Sequence, residues 1–351
     1  MPNVWYAKCY KRAIAGEADS AHLCIDLETT KNRSKMRKKF NLFLAALVLV
    51  GLAACNSNDD NGTPDIEIPG ITFDGDIDCC SAEEALQVYK FLQTVKILPE
   101  LSLSIDGKYD ITAYAAAGGF HTGYNEIFFV ATKKISGNYI KNFEISDLTP
   151  LMHMVKMDMY HSTPVGAIKS FDSSILAVKR GWVSYIMSSS DGGTWALAYN
   201  AKVLGTTGET GPIDITVNAL PEGQAWVKSF KVGDDTYYLS IVNPTDWKTG
   251  TNAATAYVSK KSAKATTPYA LAAERFTIEI DPRMPDMGNH TSPDNTALTR
   301  QDDGSHRGTI NLTMTGLWRI HLTVKDTEGN VVAGGDDLSD GYSSLFWDVT
   351  I

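Results

Sequence analysis

An internal repeat constrains the fold of this chain more than any other feature of its sequence. Six short segments recur in the same order, at an offset near 127 residues. The pairs are TGYN 122–125 with TGTN 249–252, KK 133–134 with 260–261, PLM 150–152 with PRM 282–284, HSTP 161–164 with HTSP 290–293, RG 180–181 with 307–308, and GTW 193–195 with GLW 316–318. Ordered matches of this kind predict two copies of one domain of about 120 residues.

Each copy carries the alternating pattern of short β-strands. Residues 318–324 alternate apolar and polar side chains, the turn sequence DTEGN follows at 326–330, and VVA at 331–333 completes a predicted hairpin. Residues 195–199 show the same alternation in the first copy. Short strands between Gly, Asn and Asp turns favour an immunoglobulin-like sandwich. The predicted fold class is therefore all-β, with two tandem immunoglobulin-like β-sandwich domains at 81–217 and 218–351.

One helical signal stands out against this pattern. The sequence SAEE at 81–84 has the form of a capping box and precedes apolar residues at Leu86, Tyr89 and Phe91. It predicts a short helix over 81–90. Residues 91–97 align with 227–232 of the second copy, so the repeat predicts a strand there.

The N-terminal region resembles a bacterial lipoprotein signal. The basic sequence MRKK at 36–39 precedes an apolar run at 40–52 and the sequence LAAC at 52–55. The apolar run is short for a membrane span. We therefore expect a signal peptide at 36–54, a lipid anchor on Cys55 and a linker at 55–80. Residues 1–35 would then be an extension upstream of a start at Met36.

This signal predicts a location at the outer membrane, facing the periplasm or the cell surface. The acidic residues Asp59 and Asp60 resemble the export signal of Bacteroidota surface lipoproteins. The net charge of −9 argues against a nucleic-acid partner. Of the five cysteines, Cys9 and Cys24 precede the predicted start and Cys55 would carry the lipid. Cys79 and Cys80 remain, and a strained disulfide, a soft-metal site and an incidental pair are all open for them.

The methionines carry the chemistry that the sequence specifies by residue type. Six of them fall in two short segments that also contain histidine, and two more occupy equivalent repeat positions. The predicted metal ligands are Met152, His153, Met154, Met157, Met159, His161 and Met187 in the first copy, and Met284, Met287, His290 and Met314 in the second. Thioether and imidazole groups at this spacing are ligands that copper(I) prefers.

Core packing is the alternative role for these methionines, because methionine fills irregular gaps well. Residues 282–290 are rich in Pro, Gly and polar side chains, which predicts a loop, and loops offer little core to pack. This favours metal binding. Among the other histidines, His321 alternates with apolar residues and is predicted at a surface or edge, while His306 is predicted in a polar turn.

The second copy resembles the YtkA-like (FixH-like) domain, a small sandwich related in architecture to CopC-like copper carriers. The resemblance rests on MPDMGNH at 284–290, RG at 307–308, Met314, and GLW at 316–318, and it departs from the family pattern by placing Asn289 between Gly288 and His290. The first copy departs further, with LMHM at 151–154 in place of the loop. The resemblance implies the sandwich fold and a copper-related role.

The sequence contains no GxSxG, Walker, GxGxxG, HExxH or EF-hand pattern, and we expect no enzymatic activity. The predicted function is copper(I) sequestration or handover at the cell envelope, with a copper transporter or metallochaperone as partner. One alternative is a surface adhesin or glycan-binding accessory lipoprotein with structural methionines. A second, implied by the family, is an assembly factor that contacts a membrane oxidase.

Overall fold

The computed structural model describes residues 66–73, 81–221, 226–335 and 341–351. The predicted signal peptide, Cys55, Cys79 and Cys80 lie outside these ranges. Within the described ranges the chain is mostly β-strand, which confirms the predicted all-β class. No helix in this part of the chain has the length and apolar character needed to cross a membrane.

The first repeat contains the α-helix and thirteen strands among the described residues. They are α1 (Ala82–Leu92), β1 (Lys96–Ile105), β2 (Tyr109–Ala115), β3 (Phe120–His121), β4 (Gly123–Lys133), β5 (Tyr139–Ile140), β6 (Phe143–Met154), β7 (Met159–His161), β8 (Lys169–Asp172), β9 (Ile175–Tyr185), β10 (Thr194–Val203), β11 (Thr206–Glu209), β12 (Ile213–Ile215) and β13 (Val217–Asn218), with a 3-10 turn at Ser189–Asp191. One sheet has the order β1-β2-β4-β9-β8, with β5 on β4, and the other has the order β11-β10-β6-β7, with β12 on β10.

The second repeat contains ten strands among the described residues. They are β14 (Val227–Val232), β15 (Asp235–Asn243), β16 (Gly250–Lys260), β17 (Thr277–Met284), β18 (His290–Thr291), β19 (Thr296–Arg300), β20 (Ser305–Leu312), β21 (Leu317–Lys325), β22 (Val331–Gly334) and β23 (Phe346–Thr350), with a 3-10 turn at Pro285–Met287. The predicted hairpin over 318–333 is present as β21 and β22.

Strand order shows that the two repeats share one topology. The second repeat has the order β14-β15-β16-β20-β19-β17-β21-β22, with β18 on β17 and β23 on β21. Its first five strands reproduce the order β1-β2-β4-β9-β8, and the remainder reproduces β7-β6-β10-β11. Pairing of Ile278 with Leu298 joins the two halves into one sheet in the second repeat.

An asparagine ties the same turn in each repeat. The Asn125 side chain accepts a hydrogen bond from the His121 backbone N–H (3.0 Å) and donates to the His121 carbonyl (2.6 Å). Asn252 makes the equivalent bonds with Lys248, at 3.1 and 2.7 Å. This buried side chain explains why TGYN and TGTN are among the segments that match.

Each repeat has its own hydrophobic core. In the first, Phe129, Tyr199 and Trp195 are buried between the two sheets. In the second, Trp318 and Trp347 are fully buried at the centre. The large apolar areas of these side chains make such clusters the main source of stability in both repeats.

Helix α1 covers the outer face of the first-repeat sheet. Its capping box is present, with Glu84 N–H donating to the Ser81 hydroxyl (3.3 Å) and Ser81 N–H donating to the Glu84 carboxylate (3.2 Å). The prediction of a strand over 91–97 is wrong for 91–95, because the helix continues to Leu92 and β1 begins at Lys96, and it holds for 96–97. Phe91 remains helical because its ring packs against Phe128 of β4, at a centroid distance of 5.1 Å.

The described residues of both repeats belong to one compact unit, 64–351. The Ser184 and Ser240 hydroxyls, one from each repeat, lie 2.7 Å apart and are buried. Trp182 stacks on Tyr257 at 4.7 Å between centroids. The repeats therefore meet through ordered side-chain contacts.

Candidate metal centre

The hairpin of β6 and β7 brings together part of the predicted ligand set. Antiparallel pairing sets Met152 opposite His161, His153 opposite Tyr160, and Met154 opposite Met159. Paired residues share a face of the sheet, and successive residues alternate between faces. Met152, Met154, Met159 and His161 therefore share one face, which we call the inner face of the hairpin.

The inner face runs from the core to the surface. Met152 is fully buried in the first-repeat core, Met154 and His161 are half-buried, and Met159 is 56% exposed. Cross-strand neighbours have Cβ atoms about 5 Å apart, so their side chains can converge on one small ligand. Two thioethers and one imidazole thus lie between the buried end at Met152 and solvent.

His161 is the residue on this face whose hydrogen bonding points to a ligand. Its Nδ1 lies 3.2 Å from the Ser162 carbonyl, which can only accept, so Nδ1 carries the proton. Its Nε2 is buried and has no hydrogen-bond partner. Burial lowers the pKa of the imidazole, the Ser162 bond opposes this, and the Lys261 charge lowers the pKa further. The result is a neutral ring with an unused lone pair on Nε2.

The Trp195 indole bounds this site. Trp195 pairs with Met152 across β10 and β6, and its ring meets the His161 ring edge to face, with centroids 5.4 Å apart. Its indole N–H donates to the Met187 carbonyl at 3.0 Å. Met187 is half-buried and packs against the same core.

The opposite face of the hairpin holds a different arrangement. His153 stacks on Tyr160 with centroids 4.4 Å apart, and its Nε2 lies 3.0 Å from an Asp158 carboxylate oxygen. Met157 is exposed in the connecting turn, where its N–H donates to the Met154 carbonyl. His153 and Met157 therefore do not join the inner-face set.

The second repeat brings fewer predicted ligands together. Met284 pairs with His290 across β17 and β18, as Met152 pairs with His161. His290 is exposed, and Met287 lies in the 3-10 turn, 54% exposed. Met314 accepts the Trp318 indole N–H through its carbonyl at 2.9 Å. No second cross-strand pair follows Met284, because β17 ends there.

Met152 and Met284 share a packing role. A Cβ built on Gly193 would lie 2.4 Å from Met152 Cε, and one on Gly316 would lie 2.7 Å from Met284 Cε. The first residue of each Gly-x-Trp segment therefore leaves room for the methionine methyl group. The prediction of a loop over 282–290 is wrong for Met284, which lies on β17 and is buried, and for His290, which begins β18. It holds for Met287.

Two histidine predictions are also wrong. His306 lies on β20, between β16 and β19, and is fully buried because strands flank it on both sides. Burial lowers its pKa to about 4, and the nearby Arg300 charge contributes. His321 is buried as well, because the 342–346 segment covers its strand: Nδ1 donates to the Ser343 carbonyl at 2.7 Å, and the ring stacks on Tyr342.

In the described ranges, no three side chains of His, Cys, Asp or Glu lie close enough together to hold a metal ion. Sequence reasoning named the methionines but could not separate the inner face from the outer one. The missing signal was the register of the hairpin, which depends on the length of its turn.

Comparison with known proteins adds weak structural likenesses. No family model and no curated protein matches the chain. Solved structures that resemble it include latent PorU from Porphyromonas gingivalis (10% identity, 74% of this chain, TM-score 0.19), and the chain spans about a quarter (24%) of that protein. SGBP-B of the Bacteroides ovatus mixed-linkage glucan utilization locus, in complex with a mixed-linkage heptasaccharide, is 11% identical over 73% of this chain and 70% of its own, with a TM-score of 0.15.

A further likeness is the C-terminal domain of the Streptococcus agalactiae AgI/II polypeptide BspA, which is 10% identical over 67% of this chain and 96% of its own, with a TM-score of 0.11. Scores this low carry no functional argument. Membership of the YtkA-like family stays a prediction.

Proposed function

We propose that the first repeat binds copper(I) on the inner face of the β6–β7 hairpin. The ligands are the thioethers of Met154 and Met159 and Nε2 of His161. Met152 forms the buried wall of the site, and Trp195 bounds it. The protein would sequester this ion or hand it to a copper transporter or metallochaperone.

The unpartnered Nε2 of His161 is the observation that carries the proposal. A buried polar atom without a partner costs about 1–3 kcal/mol, so it calls for an explanation, and a bound ligand is one. The Nδ1 bond to a carbonyl is the arrangement that most metal-bound histidines share, because it orients the ring and leaves Nε2 free to coordinate. His161 thus fits the imidazole ligand of a metal site.

The chemistry of the neighbouring groups supports a soft monovalent ion. Thioethers bind copper(I) well and hard divalent ions poorly. They are neutral ligands, which suits an ion of single charge. Met159 is exposed while Met154 is half-buried, so an ion can be captured at the surface and held at the edge of the core. Binding sites of this kind suit transfer, because ligands can exchange from the open end.

The predicted lipid anchor on Cys55 belongs to the same proposal. It would hold the protein on the outer membrane, where it faces the periplasm or the cell surface, and would place the site in the cell envelope. Copper handling there needs no catalysis.

Competition against a chromophoric copper(I) chelator tests the proposal. The test variant combines Met154→Leu, Met159→Leu and His161→Phe, which keep the side-chain volumes similar while removing the donor atoms. The matched control combines Met287→Leu and His290→Phe at the equivalent hairpin of the second repeat. We expect wild type and control to withdraw copper(I) from the chelator and the test variant to lose this ability.

Two results would overturn the proposal. If the folded test variant competes as well as wild type, copper(I) is bound elsewhere. If wild type itself does not compete, the methionines are structural, and the glycan-binding alternative becomes the leading hypothesis.

A further inference from the structure

The chain that leaves the candidate site is held by the other repeat. Directly after His161, the Ser162 N–H donates to the Ala265 carbonyl of the second repeat at 2.8 Å. Pro164 and Tyr269 then form a parallel bridge. In this bridge Tyr269 N–H donates to the Thr163 carbonyl and Val165 N–H donates to the Tyr269 carbonyl, both at 3.1 Å.

The second-repeat segment is itself fixed to a central strand. Lys260 N–H donates to the Ala270 carbonyl at 3.0 Å, and Ala272 N–H donates to the Val258 carbonyl at 2.9 Å. Tyr269 is 1% exposed, and its ring stacks on Tyr238 of β15 with centroids 5.4 Å apart. The position of residues 265–269 is therefore set by the frame of the second repeat.

These bonds form a short chain to the imidazole. The Ala265 carbonyl holds the Ser162 N–H, and the Ser162 carbonyl accepts the proton of His161 Nδ1. The Ser162 hydroxyl donates to the Pro150 carbonyl at 2.6 Å, which fixes this residue from the first repeat as well. The backbone N–H and the hydroxyl of Ser162 are thus both held by hydrogen bonds. Its carbonyl accepts the proton of His161 Nδ1 and so leaves Nε2 as the free nitrogen.

We infer that residues 265–269 of the second repeat, anchored by Tyr269, position His161 in the first-repeat site. Tyr269 does not touch the proposed ion and acts through Ser162, so it is a positioning residue. The second repeat therefore contributes to the first-repeat site without supplying a ligand. The functional meaning of this inference rests on the proposed copper(I) site, whereas the positioning itself can be measured without metal.

Tyr269→Ala removes the buried ring that anchors the segment, and Tyr269→Phe is the matched control that keeps the ring. In the full protein, ¹⁵N-edited NMR of the histidine side chains reports the tautomer of each ring, with the His161 signal assigned from its loss in His161→Phe. We expect one Nδ1–H tautomer for His161 in wild type and in Tyr269→Phe, and a mixture in Tyr269→Ala. Copper(I) affinity should fall about 10- to 100-fold in Tyr269→Ala alone, the range for loss of a group that orients a ligand.

The outcomes separate the two ideas. If Tyr269→Ala is less stable but keeps both the tautomer and the affinity, the tyrosine is structural and the inference is overturned. If the tautomer changes while wild type shows no affinity for copper(I), the positioning stands and the proposed function fails. If Tyr269→Ala does not fold, Tyr238→Ala replaces it, because this change removes the stacking partner of Tyr269, and Tyr238→Phe is its control. The His161 tautomer and the copper(I) affinity then decide the outcome in the same way.

Discussion

The two repeats share their strand order and differ at one hairpin. In the first repeat β6 continues to Met154 and pairs with three residues of β7, so two cross-strand pairs face the core side. In the second repeat β17 ends at Met284, and the 3-10 turn leaves one such pair with His290. Features present in both repeats therefore build the sandwich, and the features of one repeat alone are where we propose that a separate function resides.

This comparison changes how the methionines are interpreted. Met152 and Met284 occupy equivalent positions, and each fills the space above a glycine. Met154 and Met159 have no equivalent pair in the second repeat. The matched methionines Met152 and Met284 therefore have a packing role, and the unmatched Met154 and Met159 beside His161 mark the candidate site.

The largest expected effect tests the shared role. Met152→Ala and Met284→Ala should each lower the free energy of unfolding by about 2–5 kcal/mol, because each leaves a cavity in a closely packed core. Met159→Ala, exposed on the same hairpin face as Met152, is the control and should change it by less than about 0.5 kcal/mol. Chemical denaturation measures all three. A loss in only one of the two repeats would show that the equivalent methionines do not share a packing role.

A second prediction uses one position at which the repeats differ. His306 is buried in the second repeat, and its pKa is lowered to about 4. Lys179 occupies the equivalent place in the first repeat, because it pairs with Phe129 of β4 as His306 pairs with Ala256 of β16. The folded state favours neutral His306, so its contribution is complete above the unfolded pKa of about 6.5 and is lost as the pH falls towards 4.

The loss should reach roughly 3 kcal/mol over that range. His306→Leu removes the titrating group and should flatten this part of the stability profile. Unfolding midpoints in denaturant at a series of pH values measure the slope. An unchanged slope in the variant would assign the acid sensitivity to other groups.

The sequence was sufficient for features set by local chemistry. The all-β class, the hairpin after Trp318 and the capping box at Ser81 each depend on residues close together in the chain, and each is confirmed. Burial of His306 and His321 depends on which strands and segments cover them, which residue spacing does not reveal. For the same reason the sequence could not divide the candidate ligands between two hairpin faces.

A third prediction concerns helix α1, which covers the first repeat. Ser81→Ala removes the side-chain acceptor of its capping box and should lower the free energy of unfolding by about 1 kcal/mol. Ser81→Asp keeps an acceptor and is the matched control. Thermal or chemical denaturation measures the difference. Equal losses in both variants would show that the cap does not contribute through this hydrogen bond.

The smallest expected effect on stability has the opposite sign and concerns the proposed ligand itself. His161→Phe removes a buried nitrogen that has no partner and keeps an aromatic ring beside Trp195. In the metal-free protein the free energy of unfolding should stay the same or rise by up to about 1 kcal/mol, because the cost of the unpartnered nitrogen, about 1–3 kcal/mol, disappears together with the Nδ1 bond to Ser162, which contributes about 0.5–1.5 kcal/mol. His290→Phe, exposed at the equivalent pair of the second repeat, is the control and should bring no such gain. A clear loss of stability in His161→Phe would mean that the imidazole has a structural role. A gain in stability together with lost copper(I) binding would show that the first repeat alone retains a destabilising residue as a ligand.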